Sequence, residues 1–293
     1  MSVTLAEKYR LLARMFTRPV FSAIAASGEW EHGLGFLVRQ HVLQPSPIIQ
    51  SVSDLFESAW KELRTFYRNE YVYKTELANR VVFGRHSPRT TALHVELPVA
   101  RSIIDIAVFN GTSTAYEVKT EFDSARRLQT QTADYLKVFD KVFVVAQPST
   151  ASAYASLVDE RVGVLALGTS GSFSLIKEAI SNKTNVAVAT VFRCLRRVEY
   201  VEIIENLLRV PLRYPNGVIA RKCEEEFCRF TAEQAHQHFV NALRRRHTDP
   251  HTVEFVSQLP PSLRALGYAT PLSVRQRATA VSVLGQEIDM AIA

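Results

Sequence analysis

The sequence predicts an α/β fold: a mixed sheet flanked by helices, followed by a C-terminal α-helical region. Three observations carry this. Between residues 93 and 146, short apolar runs of strand length and one helix-length segment follow the order strand, strand, strand, helix, strand. Asn110-Gly111 separates the second run from the third, and Asn-Gly is the strongest short hairpin signal because both residues tolerate positive φ. From residue 190 onward the apolar spacing becomes that of amphipathic helices.

Residues 1–50 read as a helical segment packed on the core. Leu5, Tyr9, Leu12 and Met15/Phe16 recur at helical spacing within a stretch expected over 3–42, and residues 43–47 (Leu-Gln-Pro-Ser-Pro) read as a turn. Ser51 or Ser53 can cap the next helix, whose apolar face holds Leu55, Ala59, Trp60, Leu63, Phe66 and Tyr67. A further helix is expected over 69–83, ending at Gly84. Strands follow at 93–97, 103–109 and 114–119, then a helix over 124–138 capped by Ser124 or Asp123, then a strand at 141–146. A helix at 150–160 and strands at 162–167 and 172–177 complete a core domain over 51–188, which ends after the polar run Ser181-Asn182-Lys183-Thr184-Asn185. The C-terminal helical domain spans 189–293, with helices at 191–208, 217–230, 231–246 and 271–288; Thr231 and Gln234 form a capping box.

Composition narrows the function classes. No apolar run approaches the roughly 20 residues that a bilayer span needs. The N-terminus lacks the features of a secretory signal, so a cytoplasmic location is expected. Three cysteines, Cys194, Cys223 and Cys228, make no disulfide framework or zinc site and read as buried thiols. A net charge of +6 favours polyanionic partners such as nucleic acid.

The chemistry-bearing residues sit in the strand region. Asp105 interrupts an apolar strand, while Glu117 and Lys119 lie two apart on the next strand, hence on one face. Across the hairpin Asp105 reaches that face. Two carboxylates and an ammonium are costly to bury unless they are paired or bind a cation, and two carboxylates suit Mg²⁺. The helix that follows carries Gln131 and Tyr135, four apart and sharing a face with Arg127.

The pattern Asp105, eleven residues, Glu117-Val118-Lys119, then Gln131-Thr132-Ala133-Asp134-Tyr135, resembles the PD-(D/E)xK nuclease superfamily, in its RecB-like branch with a QxxxY element. The wider wording from Ile103 to Val145 is similar to a bacterial group of nuclease-like proteins. Isoleucine at 104 replaces the motif's proline. The resemblance implies a restriction-endonuclease-like sheet. It also implies Mg²⁺ or Mn²⁺ on Asp105, Glu117 and the Val118 carbonyl, a water-positioning Lys119, and substrate orientation by Gln131 and Tyr135. A further acidic residue on the preceding helix or first strand joins the site in such enzymes; Glu76 and Glu96 both qualify, with a solvated charge and a partner for Arg101 as their plain alternatives. Arg85, His86, Arg101 and Arg127 are candidate contacts to backbone phosphates. The clusters Arg193/Arg196/Arg197 and Arg244-Arg245-Arg246 read first as solvated helix ends.

The expected function is a metal-dependent nuclease hydrolysing phosphodiester bonds, with DNA the first substrate. The alternative is a non-cleaving nucleic-acid-binding or defence-complex protein on the same fold. A third reading gives the C-terminal helices a protein partner. Oligomeric state is left open.

Overall fold

The computed structural model describes residues 4–39, 42 and 49–288. The expected turn at 43–47 lies outside them. The chain forms two compact units: Met1–Arg89 with Thr169–Gly171 and Asp249–Ala293, and Thr90–Gly168 with Ser172–Thr248. These divisions fall elsewhere than at 50/51 and 188/189.

The first unit is helical. Its helices are Leu5–Met15, Arg18–Ser27, Trp30–Arg39, Val52–Phe66, Glu70–Leu77, Pro250–Gln258, Arg264–Ala269 and Val274–Leu284. Ser51 caps with a capping box to Asp54, and the Asn69 side chain accepts the Val72 N–H. In place of one continuous helix over 69–83, the α-helix ends at Leu77 and widens into a π-helical stretch, Ala78–Arg85. Phe21, Phe56 and Tyr73 are fully buried, whereas Phe66, at the end of its helix, is exposed.

The second unit holds one six-stranded sheet, with strands β1 (Ala92–Val99), β2 (Ser102–Phe109), β3 (Ser113–Lys119), β4 (Lys141–Ala146), β5 (Gly163–Leu167) and β6 (Phe173–Lys177), in the spatial order of the chain. β1/β2, β2/β3 and β5/β6 pair antiparallel; β3/β4 and β4/β5 pair parallel. The hairpin turns at Gly111, whose φ of 69° is the left-handed region glycine enters freely. Each parallel pair is joined by a helical crossover, Leu128–Leu136 and Pro148–Leu157. One core cluster joins Ala107, Phe109, Ala115 and Val144 of the sheet to Tyr135, Phe139 and Tyr154, and on to Phe192, Phe227 and Phe239 from the helices beyond residue 188. The fold class is thus the expected one, a mixed sheet flanked by helices with a C-terminal helical region. The helices Val188–Arg193, Arg197–Leu208, Asn216–Phe227 and Ala232–Arg245 share the sheet's hydrophobic core.

Four local expectations are corrected. The stretch 191–208 is two helices, because Arg196 is extended and Glu199 turns back to accept its N–H. Neither Ser124 nor Asp123 caps the helix after β3: Asp123 accepts the Thr120 N–H and hydroxyl instead, and a short 3₁₀ turn, Ala125–Arg127, leads in. The helices Pro250–Gln258 and Arg264–Ala269 were not anticipated. Cys223 is buried, but Cys228 is exposed and Cys194 intermediate. Among the described residues, no helix is long and apolar enough to cross a membrane.

Candidate active site at the fork of the sheet

β2 and β3 pair from Phe109↔Ser113 to Ile106↔Tyr116. The next pair in register would set Asp105 against Glu117. Instead the Asp105 carboxylate accepts the Val118 N–H at 2.8 Å, replacing a backbone ladder bond with a side-chain one. β3 runs on beside β4 as far as Lys119↔Ala146. The sheet therefore forks where the carboxylates lie. Alternation places Asp105, Glu117 and Lys119 on the face of Ala107, Phe109 and Ala115.

Glu117 is only 2% exposed. Its Oε1 accepts the Lys119 ammonium at 2.8 Å, and its Oε2 lies 2.8 Å from the Tyr135 hydroxyl. That hydroxyl also lies 2.8 Å from the Ile103 carbonyl, so its single proton serves one acceptor at a time. Lys119 donates a second bond to Gln131 Oε1 at 3.2 Å. An ammonium has three donors, which leaves a third for a water or phosphate oxygen. Burial, then the neighbouring Glu117 charge, push the Tyr135 pKa up, so the phenol keeps its proton and remains a donor.

Gln131 and Tyr135 reach the cluster because their helix is fixed from the side. Asp134 accepts the Ser102 hydroxyl (2.9 Å), the Arg101 N–H (3.4 Å) and the Lys137 ammonium (2.7 Å). Burial alone would raise the Asp134 pKa, but these partners outweigh it and hold the pKa below the ordinary value. Asp134 thus ties the helix to the β1–β2 turn. Its place inside Gln131–Tyr135 gave a signal that the sequence reading did not use.

The structure gathers Asp105, Glu117, Lys119, Gln131 and Tyr135, with Val118 supplying a backbone group. It treats the other candidates differently. Glu96 is exposed, in β1 between the pairs Val95↔Ile106 and Leu97↔Ile104, and has a φ of 56°, unusual for a residue with a side chain. Glu76 lies in the first unit, where Arg64 and Arg80 each place an Nε 3.2 Å from its carboxylate. Arg85 and His86 are exposed in that unit; desolvation and then Arg85 lower the His86 pKa. Arg101 and Arg127 are exposed in the second unit. Arg246 forms a buried pair with Glu199, while Arg193 pairs with Glu224 and Arg245 with Glu202, so these three arginines of the two clusters are engaged in ion pairs.

Two carboxylates and one ammonium meet in this cluster, and hard oxygen donors of this kind suit a divalent cation. Among the described residues no group of three or more His, Cys, Asp or Glu side chains is placed to hold a metal. Mg²⁺ commonly takes one or two carboxylates and keeps several waters, so Asp105 and Glu117 with a backbone oxygen form a sufficient donor set.

Fold and site together define an α/β protein with an acid–amide–lysine cluster at a forked mixed sheet. Comparison with known proteins places it further. The chain belongs to the bacteriophage P4 protein cII family, whose model matches residues 64–260. A 68-residue segment is 35% identical to Protein cII of Enterobacteria phage P4, covering 23% of this chain and 26% of that protein. The match thus spans about a quarter of that relative's length. A solved structure, the SPO1766 protein of unknown function from Silicibacter pomeroyi, aligns at 17% identity over 41% of this chain and 80% of its own, with a TM-score of 0.29.

Proposed function

We propose that the protein is a metal-dependent nuclease that hydrolyses phosphodiester bonds, with DNA as its substrate and Mg²⁺ or Mn²⁺ as its cofactor, acting in the cytoplasm. One observation carries the reading: the hydrogen-bonded set Asp105, Glu117, Lys119, Gln131 and Tyr135 at the fork of β2 and β3, in which Glu117, Lys119 and Tyr135 are buried and Asp105 and Gln131 half-buried. Asp105, Glu117 and the Val118 carbonyl would hold the cation, which supplies charge neutralisation at the scissile phosphate. Lys119, steadied by Glu117 and Gln131, directs its remaining N–H at the attacking water or at a phosphate oxygen that gains charge. Tyr135 fixes the Glu117 carboxylate. The exposed Arg101 and Arg127 are suited to phosphate contacts.

The test uses linear and covalently closed DNA with Mg²⁺, Mn²⁺ or EDTA, and Asp105→Ala and Lys119→Ala proteins alongside. The expected result is metal-dependent cleavage by the wild type, reduced about a thousandfold in either variant. Sparing of closed circles would mark an end-dependent enzyme. If wild type and variants leave every substrate intact but bind DNA alike, the non-cleaving nucleic-acid-binding reading replaces this one.

A further inference from the structure

The helices Arg197–Leu208 and Ala232–Arg245 border an open groove of about 490 Å³, lined by none of the fork residues. Its lining is chemically mixed. His238, Asn241 and Arg245 recur at i, i+3 and i+7, which puts them along one helix face. At one end Arg245 pairs with Glu202 across the groove at 2.7 Å and holds the two helices together there. At the other, the rings of His238 and Phe230 lie 4.6 Å apart, tilted by 36°. Both are only half-buried, so ring surface is left on the groove side. Burial lowers the His238 pKa, which keeps the imidazole neutral at pH 7 and suited to stacking.

Between these ends lie Asn206, Asn241 and Arg244. Asn241 accepts from Gln237 and keeps its amide N–H donors for another partner. Arg244 is half-buried, and among the described residues its guanidinium has no carboxylate within ion-pair distance. Its neighbours Arg245 and Arg246 both have one. A half-buried arginine without a counter-charge, beside amides and an aromatic pair, calls for a planar, hydrogen-bonding, anionic ligand.

We propose that this groove is a nucleotide-binding site, with the base against Phe230 and His238, its edge read by Asn206 and Asn241, and a phosphate on Arg244. The same chemistry is offered by a free nucleotide and by one unit of a single strand. The site is independent of the nuclease reading, because none of its residues belongs to the fork.

The experiment is calorimetric titration in EDTA of the full chain carrying Lys119→Ala, so that hydrolysis plays no part. Deoxyadenosine monophosphate, deoxyribose 5-phosphate and hexadeoxyadenylate serve as probes. The expected result is that deoxyadenosine monophosphate binds and that Arg244→Gln weakens it by about ten- to a hundredfold. Asn241→Ala should weaken it less, and Arg193→Gln, outside the groove, should leave it unchanged. Deoxyribose phosphate should bind at least tenfold more weakly, since it lacks the stacking base. Tighter binding of the hexamer would identify the occupant as part of a strand; equal binding would identify a free nucleotide. Equal affinity for deoxyadenosine monophosphate and deoxyribose phosphate, or binding that survives Arg244→Gln, overturns the proposal. So does the absence of any heat with all three probes at millimolar concentration.

Discussion

Two buried glutamates in this chain have opposite surroundings. Glu76 is 3% exposed and faces two guanidiniums, Arg64 and Arg80, with Gly171 against its carboxylate. Glu117 is 2% exposed and faces one ammonium and one neutral phenol, with a second carboxylate, Asp105, beside it on the same strand pair. The first has two cations at its carboxylate; the second has one. A buried charge held between cations of its own chain serves the fold, whereas buried carboxylates gathered beside a single lysine can take up a cation from outside. The contrast argues for chemistry at Glu117 and for architecture at Glu76.

The largest effect should come from removing the charge at Glu117. Glu117→Gln keeps the shape, yet cleavage should fall by about three orders of magnitude, or about 4 kcal/mol. The rise in melting temperature that millimolar Mg²⁺ gives the wild type should vanish with it. A variant that still gains stability from Mg²⁺ would break the comparison.

Glu76→Ala should act on the fold. It leaves Arg64 and Arg80 without their anion and should cost about 2–3 kcal/mol in urea denaturation. A loss under 0.5 kcal/mol would show that the partly exposed arginines simply turn to water.

A third carboxylate sharpens the point through pH. Asp140 accepts the Thr112 and Ser181 hydroxyls and the N–H groups of Asn182 and Lys183, with no cation in the set. Burial opposes its ionisation, but these bonds prevail and hold its pKa below the ordinary value. A group depressed in the folded state adds stability above its unfolded pKa and loses it as pH falls through the folded one. Asp140→Asn should cost about 1–3 kcal/mol at pH 7, and the cost should shrink below pH 4. A cost that does not change with pH would remove Asp140 from this account.

The smallest effects concern glycines. Gly171 has a φ of 79°, and a Cβ there would lie 2.8 Å from Glu76 Oε1. Gly171→Ala should cost about 2 kcal/mol, of which about half remains in a Glu76→Ala background where only the backbone penalty persists. Gly111→Ala, with a φ of 69° and nothing within 4 Å of its Cβ, should cost about 1 kcal/mol alone. Additive behaviour of Gly171→Ala and Glu76→Ala would mean that the two groups do not press on each other.

Much of this was legible in the residues. Strict apolar runs and Asn110-Gly111 predict β1 to β4 to within a few residues, and two-residue alternation predicts that Glu117 and Lys119 share a face. Side-chain caps read well where the acceptor had no competitor, as at Ser51 and Thr231. Asp123 failed as a cap because Thr120, three residues earlier, offered both an N–H and a hydroxyl. The helix Pro250–Gln258 was missed although Asp249-Pro250 is a strong start signal, a cap followed by proline in the first turn. The exchange of a ladder bond for the Asp105 carboxylate could not be read locally, since it depends on where β2 leaves β3. The charge balance around Glu76 and Glu117 was hidden for the same reason: Arg64 is twelve residues from Glu76, and only the fold places them together.

The order of the strands has a consequence for how the chain acquires its structure. Every strand of the sheet lies beside its successor, so each can dock as it leaves the ribosome across a hairpin or a single helical crossover, with modest entropy lost at each step. The helical unit has no such route. The segment that ends at Arg89 must wait for the one that starts at Asp249, and the bridge Ser51↔Glu287 closes only once Glu287 has been made. The sheet and the helices that share its core can therefore fold before the helical unit has all its parts.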